Sequence, residues 1–184
     1  MTAAVILSSD MVDGAVLSLA SNVAPDVHLP ACRQSLADIG RVTLSAVNQN
    51  ACQFADNHAP KQHAAVQIAP YHNQIAVVML NHAMPYAKLW QLSKQLERDN
   101  GRQACTKPNV TLDVDILAVR LAAEQISLPP IVLPAAAREA AIQRGDWQLL
   151  ARRLPLASYD RAGLASLPAP WAQTLQAWFD AATA

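Results

Sequence analysis

Two aspartates spaced two positions apart are the strongest chemical feature of this sequence. Asp113 and Asp115 lie in the stretch L-D-V-D-I-L over residues 112–117. In a strand, residues two apart project from one face, so the sequence predicts that the two carboxylates stand side by side. Adjacent carboxylates repel each other unless a positive group neutralises them, and Mg²⁺ is such a group because it takes oxygen ligands. The alternative is the solvated face of an edge strand, with both carboxylates in water.

An aromatic ring and an amide form a second pair with the same spacing. Tyr71 and Asn73 lie in A-P-Y-H-N over residues 69–73. A ring plane beside an amide suits a flat heterocycle that stacks on the ring and is hydrogen-bonded at its edge. The alternative is a tyrosine that packs in the core and an asparagine that belongs to a turn.

A charged stretch, E-R-D-N-G-R over residues 97–102, closes a predicted helix. Glu97 and Arg102 are its candidates for contact with a charged ligand. The alternative is a solvated last turn in which Gly101 ends the helix at the C′ position.

Six elements are predicted to position these side chains, from their hydrophobic periodicity and their turn residues. They are strands at 15–20, 42–46, 75–80 and 111–119, and helices at about 28–39 and 85–100. Their order, β-α-β-β-α-β, is the split βαβ or ferredoxin-like arrangement. The sequence therefore predicts an α+β fold with an antiparallel sheet.

Two flanking segments lie outside this core. Residues 1–14 are predicted to be an N-terminal extension of a domain that spans 15–134. Three prolines within 129–134 interrupt the chain, and residues 135–184 are predicted to be a helical extension packed on the same domain. Its helices are expected over 135–154 and in a terminal amphipathic segment with Trp171 and Trp178 on one side.

Composition narrows the possible partners. The chain has 184 residues, 52% of them hydrophobic and 15% charged, with 14 Lys+Arg against 14 Asp+Glu. This balance excludes a broad basic surface for nucleic acid or membrane, and allows only a focused anion site. The three cysteines have no disulfide or zinc spacing, and there is neither a signal-peptide pattern nor a long apolar run. These features predict a cytoplasmic protein without a membrane span.

The motifs together resemble those of one enzyme family. L-A-S-N at 19–22, P-Y-H-N at 70–73, Glu97 with G-R at 101–102, and T-L-D-V-D-I-L at 111–117 are the motifs concerned. Their order and spacing resemble 6-hydroxymethyl-7,8-dihydropterin pyrophosphokinase, an enzyme of folate biosynthesis, over about residues 15–134. That family's core has the same β-α-β-β-α-β order.

The resemblance implies an activity and its cofactor. The reaction would be transfer of the terminal diphosphate of ATP to the hydroxymethyl group of a dihydropterin, with two Mg²⁺ ions. Asp113 and Asp115 match the metal-binding aspartates of the family. They would hold the metals that neutralise the triphosphate during attack on its β-phosphorus.

The other implied roles concern the two substrates. Tyr71 and Asn73 match the pterin-stacking tyrosine and the pterin-edge asparagine. Arg102 matches a catalytic arginine on the nucleotide side, and Glu97 matches the acidic residue five positions before it. Lys107 is the one cation in the loop between Arg102 and the aspartates, and it is a further candidate for nucleotide binding.

Three departures from the family pattern are present, and the first two affect phosphate binding. The loop over 103–110 is about two residues short and lacks the family's tryptophan, and Val110 stands in place of a phosphate-contacting arginine. A histidine that contacts the nucleotide is replaced by alanines at 135–137. The first-strand motif carries Ala20 instead of glycine. Lys107 does not replace the bidentate guanidinium, because an ammonium is a point charge.

Two functions follow from these observations. The first is a divergent, Mg²⁺-dependent pyrophosphokinase that acts on small molecules, the dihydropterin and ATP. The alternative is a non-catalytic or repurposed protein of the same fold that still binds a pterin or a nucleotide.

Overall fold

An antiparallel sheet flanked by helices on both faces forms the protein. The computed structural model describes residues 2–50, 69–103, 108–123 and 139–183. The strands are β1 (Thr2–Ile6), β2 (Met11–Ser21), β3 (Gly40–Leu44), β4 (Asn48–Asn50), β5 (Tyr71–Pro85), β6 (Asp113–Leu121), β7 (Glu139–Arg144) and β8 (Trp147–Leu150). The helices are α1 (Pro25–Ile39), α2 (Tyr86–Asp99), α3 (Ser158–Ala165) and α4 (Trp171–Ala181).

Each predicted core element is present at the expected place. The strand order in the sheet is β1-β7-β8-β6-β2-β5-β3, and β4 pairs with β5. All of these pairings are antiparallel. The predicted mixed α+β class with an antiparallel sheet is therefore confirmed.

The two faces of the sheet carry separate apolar layers. On one face, side chains such as Leu17 and Val114 pack with the buried residues of α1 and α2. On the other face, Val16 and Ile75 pack with Leu164 of α3 and with residues of α4. The period of two in strands fixes this division, because neighbouring residues of a strand project to opposite faces.

The segment after residue 138 corrects one sequence prediction. A helix was expected over 135–154, but Glu139–Arg144 and Trp147–Leu150 form the β7–β8 hairpin, which a short 3₁₀ turn at Ala151–Arg153 follows. The hairpin turns at Gly145, whose φ of +59° favours glycine. Alanines lie on both the exposed and the buried side of β7, so the sequence does not show the alternation of polar and apolar residues that is typical of a strand. Residues 124–138 lie outside the described ranges.

Both flanking segments contribute strands to the sheet. Strand β1, within the predicted N-terminal extension, pairs with β7 from Thr2 opposite Gln143 to Ile6 opposite Glu139. The terminal amphipathic helix is confirmed as α4. In the described parts of the chain, no helix is long and apolar enough to cross a membrane.

Helix α3 lies very close to the sheet. A Cβ atom at Gly163 would approach Cγ1 of Ile75 to 2.6 Å, so only glycine allows this separation. Next to it, Trp147 of β8 contacts Trp171 edge-on, with ring centroids 5.9 Å apart, and the ring of Trp178 at 6.2 Å. These contacts hold α3 and α4 against the sheet face that carries the candidate site.

Candidate functional site

The two aspartates lie on one face of the sheet, at its centre. Asp113 and Asp115 flank Val114, which packs in the layer on the opposite face, so both carboxylates project toward the side of α3 and α4. Ala20 of β2 pairs with Asp113 on one side and with Asn73 on the other. Asp113 and Asn73 therefore share a face two strands apart, at a backbone separation of about 10 Å.

Each carboxylate has its own guanidinium. Nη2 of Arg102 lies 3.6 Å from Oδ1 of Asp113, and Arg153 forms an ion pair with Oδ1 of Asp115. The Asp113 and Asp115 side chains keep 35% and 26% of their surface exposed. The charge that the carboxylate pair brings to this face is thus neutralised by arginines, and the pair stays open to solvent.

Arg102 reaches Asp113 from the end of α2. Gly101 follows the helix with φ +77°, as expected for a C′ glycine, and turns the chain toward the start of β6. There the guanidinium also donates a hydrogen bond to the Leu112 carbonyl at 3.4 Å. Arg102 and Asp113 are therefore neighbours in the structure, and the role of Arg102 on the nucleotide side stays a prediction.

Arg153 reaches Asp115 through the pairing of β8 with β6. Trp147 lies opposite Arg120 and Leu149 opposite Ala118, so the chain that leaves β8 runs back along β6 toward its first residues. Arg153 is the last of the three residues in the 3₁₀ turn that follows β8, and its side chain lies beside Asp115. This neighbourhood spans 38 positions in sequence, and no local pattern in the sequence indicates it.

Helix α3 adds a buried carboxylate to the same face. Ser18, which pairs with Asp115 across β2 and β6, donates a hydrogen bond of 2.6 Å to Oδ1 of Asp160. Burial raises the pKa of Asp160, while the Ser18 hydroxyl and nearby Arg153 act in the opposite direction. Burial and the Asp160 charge raise the pKa of Tyr159 as well, with an opposing influence from Arg153.

The predicted heterocycle site lies at the start of β5. The Tyr71 hydroxyl donates a hydrogen bond of 2.7 Å to the Pro108 carbonyl, which holds the ring beside the segment that leads into β6. Asn73 is buried, and its amide donates to Oδ1 of Asn50 in β4. Asn48 pairs with Asn73 in the β4–β5 register and extends this amide-rich edge.

Three buried polar atoms near the aspartates and amides have no hydrogen-bond partner in the described part of the protein. They are Nδ2 of Asn48, Oγ1 of Thr111 and Nε of Arg153. Buried polar atoms are normally hydrogen-bonded, so each such exception calls for a physical reason. Further such atoms lie in the side chains of His72, Tyr86, Arg144 and Gln148, so these exceptions are not confined to this site.

Asn22, the last residue of the L-A-S-N motif, forms hydrogen bonds to the two segments beside the site, before β5 and before β6. Its Oδ1 accepts from the Val110 N–H at 2.6 Å, and its Nδ2 donates to the carbonyls of Pro108 and Ala69 at 2.9 and 3.3 Å. One buried amide therefore joins the end of β2 to the segments that lead into β5 and β6. The L-A-S-N motif therefore has a structural role that its sequence alone does not indicate.

Replacement of Asn22 by alanine is expected to destabilise the fold, because it leaves the buried Val110 N–H without its acceptor. The expected loss in the free energy of unfolding is about 1–3 kcal/mol, measured by urea denaturation. Asn81→Ala is the matched control, since Asn81 is exposed on β5. Equal stability of the two variants would contradict a structural role for Asn22.

Glu97 is occupied by structural contacts. Its carboxylate accepts from the Val114 N–H at 3.0 Å and pairs with Lys94 of the same helix, and its side chain is only 10% exposed. These bonds attach α2 to β6 at Val114, a residue of β6 that does not pair with β8. Contact of Glu97 with a nucleotide stays a prediction, and Lys107, the other predicted nucleotide contact, lies outside the described residues.

Metal binding at this face would rest on two carboxylates. Within the described ranges, no group of three or more His, Cys, Asp or Glu side chains is placed to hold a metal ion. Mg²⁺ is usually bound by one or two carboxylates together with phosphate oxygens and water. The donor set of Asp113 and Asp115 therefore fits a metal that arrives with a phosphate ligand.

Ser18, Arg153 and Asp160 belong to this site but were not predicted from the sequence. For Ser18, the sequence does indicate the face of the sheet: it lies two positions before Ala20 in the same strand, so the two residues face the same side. No such signal exists for the other two, which lie in segments after the predicted core. No protein-family model matches the sequence, and comparison with curated proteins gives no significant match.

Proposed function

We propose that this protein is a divergent 6-hydroxymethyl-7,8-dihydropterin pyrophosphokinase, which transfers diphosphate from ATP to the pterin hydroxymethyl group. One observation carries the proposal. Asp113 and Asn73 flank Ala20 on a single face of the sheet, and Asp115 follows two positions on. A carboxylate pair for metal and an amide-and-tyrosine edge for a heterocycle are thus about two strands apart, which would hold two bound substrates side by side.

The strand order supports the family's ferredoxin-like core. Strands β6, β2, β5 and β3 are neighbours in that order, with α1 between β2 and β3 and α2 between β5 and β6. In this arrangement each βαβ unit is split by an antiparallel strand. The remaining strands extend the sheet on the β6 side, and β4 is added on β5.

Asp113 and Asp115 would hold Mg²⁺, which supplies charge neutralisation at the triphosphate when bound. Arg102 would act from the nucleotide side, because its guanidinium already lies beside Asp113. Tyr71 would orient the pterin ring, with its hydroxyl held by the Pro108 carbonyl. Asn73 would hydrogen-bond the heterocycle edge, with support from the amides of β4.

The proposed reaction balances without a further reactant. The pterin hydroxymethyl oxygen forms a bond to the β-phosphorus of ATP, and the bond from that phosphorus to the bridging α-phosphate oxygen breaks. Adenosine monophosphate leaves with the bridging oxygen, and the hydroxyl proton passes to solvent. The protein contributes position and charge, which account for most of the catalysis in phosphoryl transfer.

A second candidate is a binding protein on the same fold that performs no transfer. It is favoured by the ion pairs of Arg102 and Arg153, which neutralise the aspartates from within the chain. It is also favoured by Val110, whose buried side chain stands where the family has a phosphate-contacting arginine. Such a protein would keep the Tyr71 and Asn73 site.

Calorimetric titration tests the two candidates. A non-hydrolysable ATP analogue is titrated first with Mg²⁺, and 6-hydroxymethylpterin is then added. The pyrophosphokinase is expected to bind the nucleotide only with Mg²⁺ and then the pterin. Absence of nucleotide binding at millimolar concentration would refute the pyrophosphokinase, and pterin binding in that case would favour the second candidate.

Tyr71→Ala and Asn81→Ala make this experiment specific to the site. Loss of ring stacking in Tyr71→Ala is expected to weaken pterin binding roughly 10-fold or more, within the range for stacking of a heterocycle on an aromatic ring. The exposed Asn81 on the same strand serves as a control, and its replacement is expected to leave the pterin affinity unchanged. Equal pterin affinity in both variants would place the pterin elsewhere.

A further inference from the structure

Arg153 is a cation at the aspartate pair that comes from outside the region of family resemblance. Its guanidinium pairs with Asp115, its side chain is 28% exposed, and its Nε atom is buried without a hydrogen-bond partner in the described residues. A guanidinium has five N–H donors in a planar fork. Asp115 therefore uses only part of what Arg153 can donate.

The site needs such a cation for a triphosphate. At position 110, where the family has an arginine, Val110 is buried and is held by Asn22. Of the basic side chains in the described residues, Arg102 and Arg153 are the two that form ion pairs with the aspartates. Arginine suits phosphate because its fork can donate two parallel hydrogen bonds to one anion.

We propose that Arg153 is a phosphate-binding residue which replaces the missing loop arginine, and that it exchanges Asp115 for a phosphate oxygen when a triphosphate binds with Mg²⁺. This inference rests on the proposed function, since it concerns the same site. Without ligand, Arg153 neutralises Asp115. With ligand, Asp115 is available to the metal and the guanidinium donates to the phosphate.

If this exchange occurs, removal of the Arg153 guanidinium changes the affinities for two ligands in opposite directions. A divalent cation alone competes with Arg153 for Asp115, so loss of the guanidinium favours the cation. A triphosphate with its metal gains hydrogen bonds from Arg153, so the same loss weakens its binding. A purely structural role for Arg153 would not separate the two affinities in this way.

Arg153→Gln tests this exchange in the full-length protein. Mn²⁺ alone, followed by the paramagnetic resonance signal of the free ion, is expected to bind roughly two- to fivefold tighter than in the wild type. Inorganic tripolyphosphate with Mg²⁺, followed by calorimetry, is expected to bind roughly 10- to 100-fold more weakly. Arg153→Lys is expected to give an intermediate affinity for tripolyphosphate, because the charge remains but the fork is lost.

Arg161→Gln is the matched control. Arg161 lies on α3, is half-exposed, and forms a long ion pair of 3.7 Å with the exposed Asp180 and a hydrogen bond of 3.4 Å to the Leu156 carbonyl. It is expected to leave both affinities unchanged. If Arg153→Gln leaves both affinities unchanged or shifts both in one direction, the inference is overturned.

These outcomes are independent of the transfer reaction. A wild-type protein that transfers diphosphate while Arg153→Gln binds tripolyphosphate normally would overturn the inference and leave the proposed function in place. Opposite shifts in a protein that transfers nothing to the pterin would support the phosphate role of Arg153 and refute the pyrophosphokinase.

Discussion

The double substitution Asp113→Asn and Asp115→Asn is expected to abolish the Mg²⁺ dependence of triphosphate binding. In the wild type, the two carboxylates would hold the metal that neutralises the phosphates. Without them, the affinity for tripolyphosphate with Mg²⁺ should fall roughly 100-fold or more. The affinity for metal-free tripolyphosphate should stay equal or rise, because Arg102 and Arg153 lose their carboxylate partners. Calorimetry with and without Mg²⁺ measures both quantities.

Asp13→Asn is the control for this double variant. Asp13 pairs with Arg120 of the same sheet, with N–O distances of 2.7 and 2.9 Å, and has a side-chain exposure of 27%, close to that of Asp115. It lies near the other end of β6, so its replacement should leave triphosphate binding unchanged. Retained Mg²⁺ dependence in the double variant would show that the metal is bound elsewhere.

Asp160→Asn is expected to stabilise the protein at pH 7. Burial raises the pKa of Asp160 above its usual value of 3.8, so the folded state disfavours the charged carboxylate. Between 3.8 and the folded-state pKa, the folded protein binds the proton more tightly than the unfolded chain does. The stability that protonation contributes is complete below pH 3.8 and is lost as the pH rises through the folded-state pKa.

The measurement is the free energy of unfolding of wild type and Asp160→Asn across this pH range. The advantage of the asparagine should grow with rising pH, by about 1.4 kcal/mol for each unit by which the pKa is raised. It should vanish near pH 3.8, where the wild-type carboxyl is itself neutral. A difference independent of pH would mean that Asp160 is not the titrating group.

Ser18→Ala should have the opposite effect at pH 7. It removes the 2.6 Å hydrogen bond to the buried Asp160 carboxylate and leaves that charge with less support. A hydrogen bond to a charged group contributes about 1.5–3 kcal/mol, which is the expected loss of stability. Combination with Asp160→Asn should reduce this loss, because the group left behind is neutral.

The local elements of the fold could be predicted because their signals lie within single segments. The apolar spacing of α2 and the glycine after it define that helix. The alternation in β6 places Asp113 and Asp115 on one face, because every second residue of a strand faces the same side. Tyr71 and Asn73 share a face for the same reason.

The β7–β8 hairpin was mispredicted because its signal depends on its partners. Glu139 and Ala141 are buried while Ala140 is exposed, so residue type does not mark the faces of β7. The alanine-rich segment favours a helix by intrinsic propensity. Pairing with β1 on one side and β8 on the other supplies the hydrogen bonds that favour the strand.

By itself, the sequence determined which residues can carry the chemistry and which of them lie side by side, since a strand repeats every two residues. Only the tertiary structure decided what neutralises the aspartates. Antiparallel pairing of β8 with β6 returns the chain along β6 and brings Arg153 to Asp115, while packing of α3 brings Asp160 to Ser18. Such contacts join residues more than 35 positions apart, and they depend on strand order and helix packing, which no local spacing encodes.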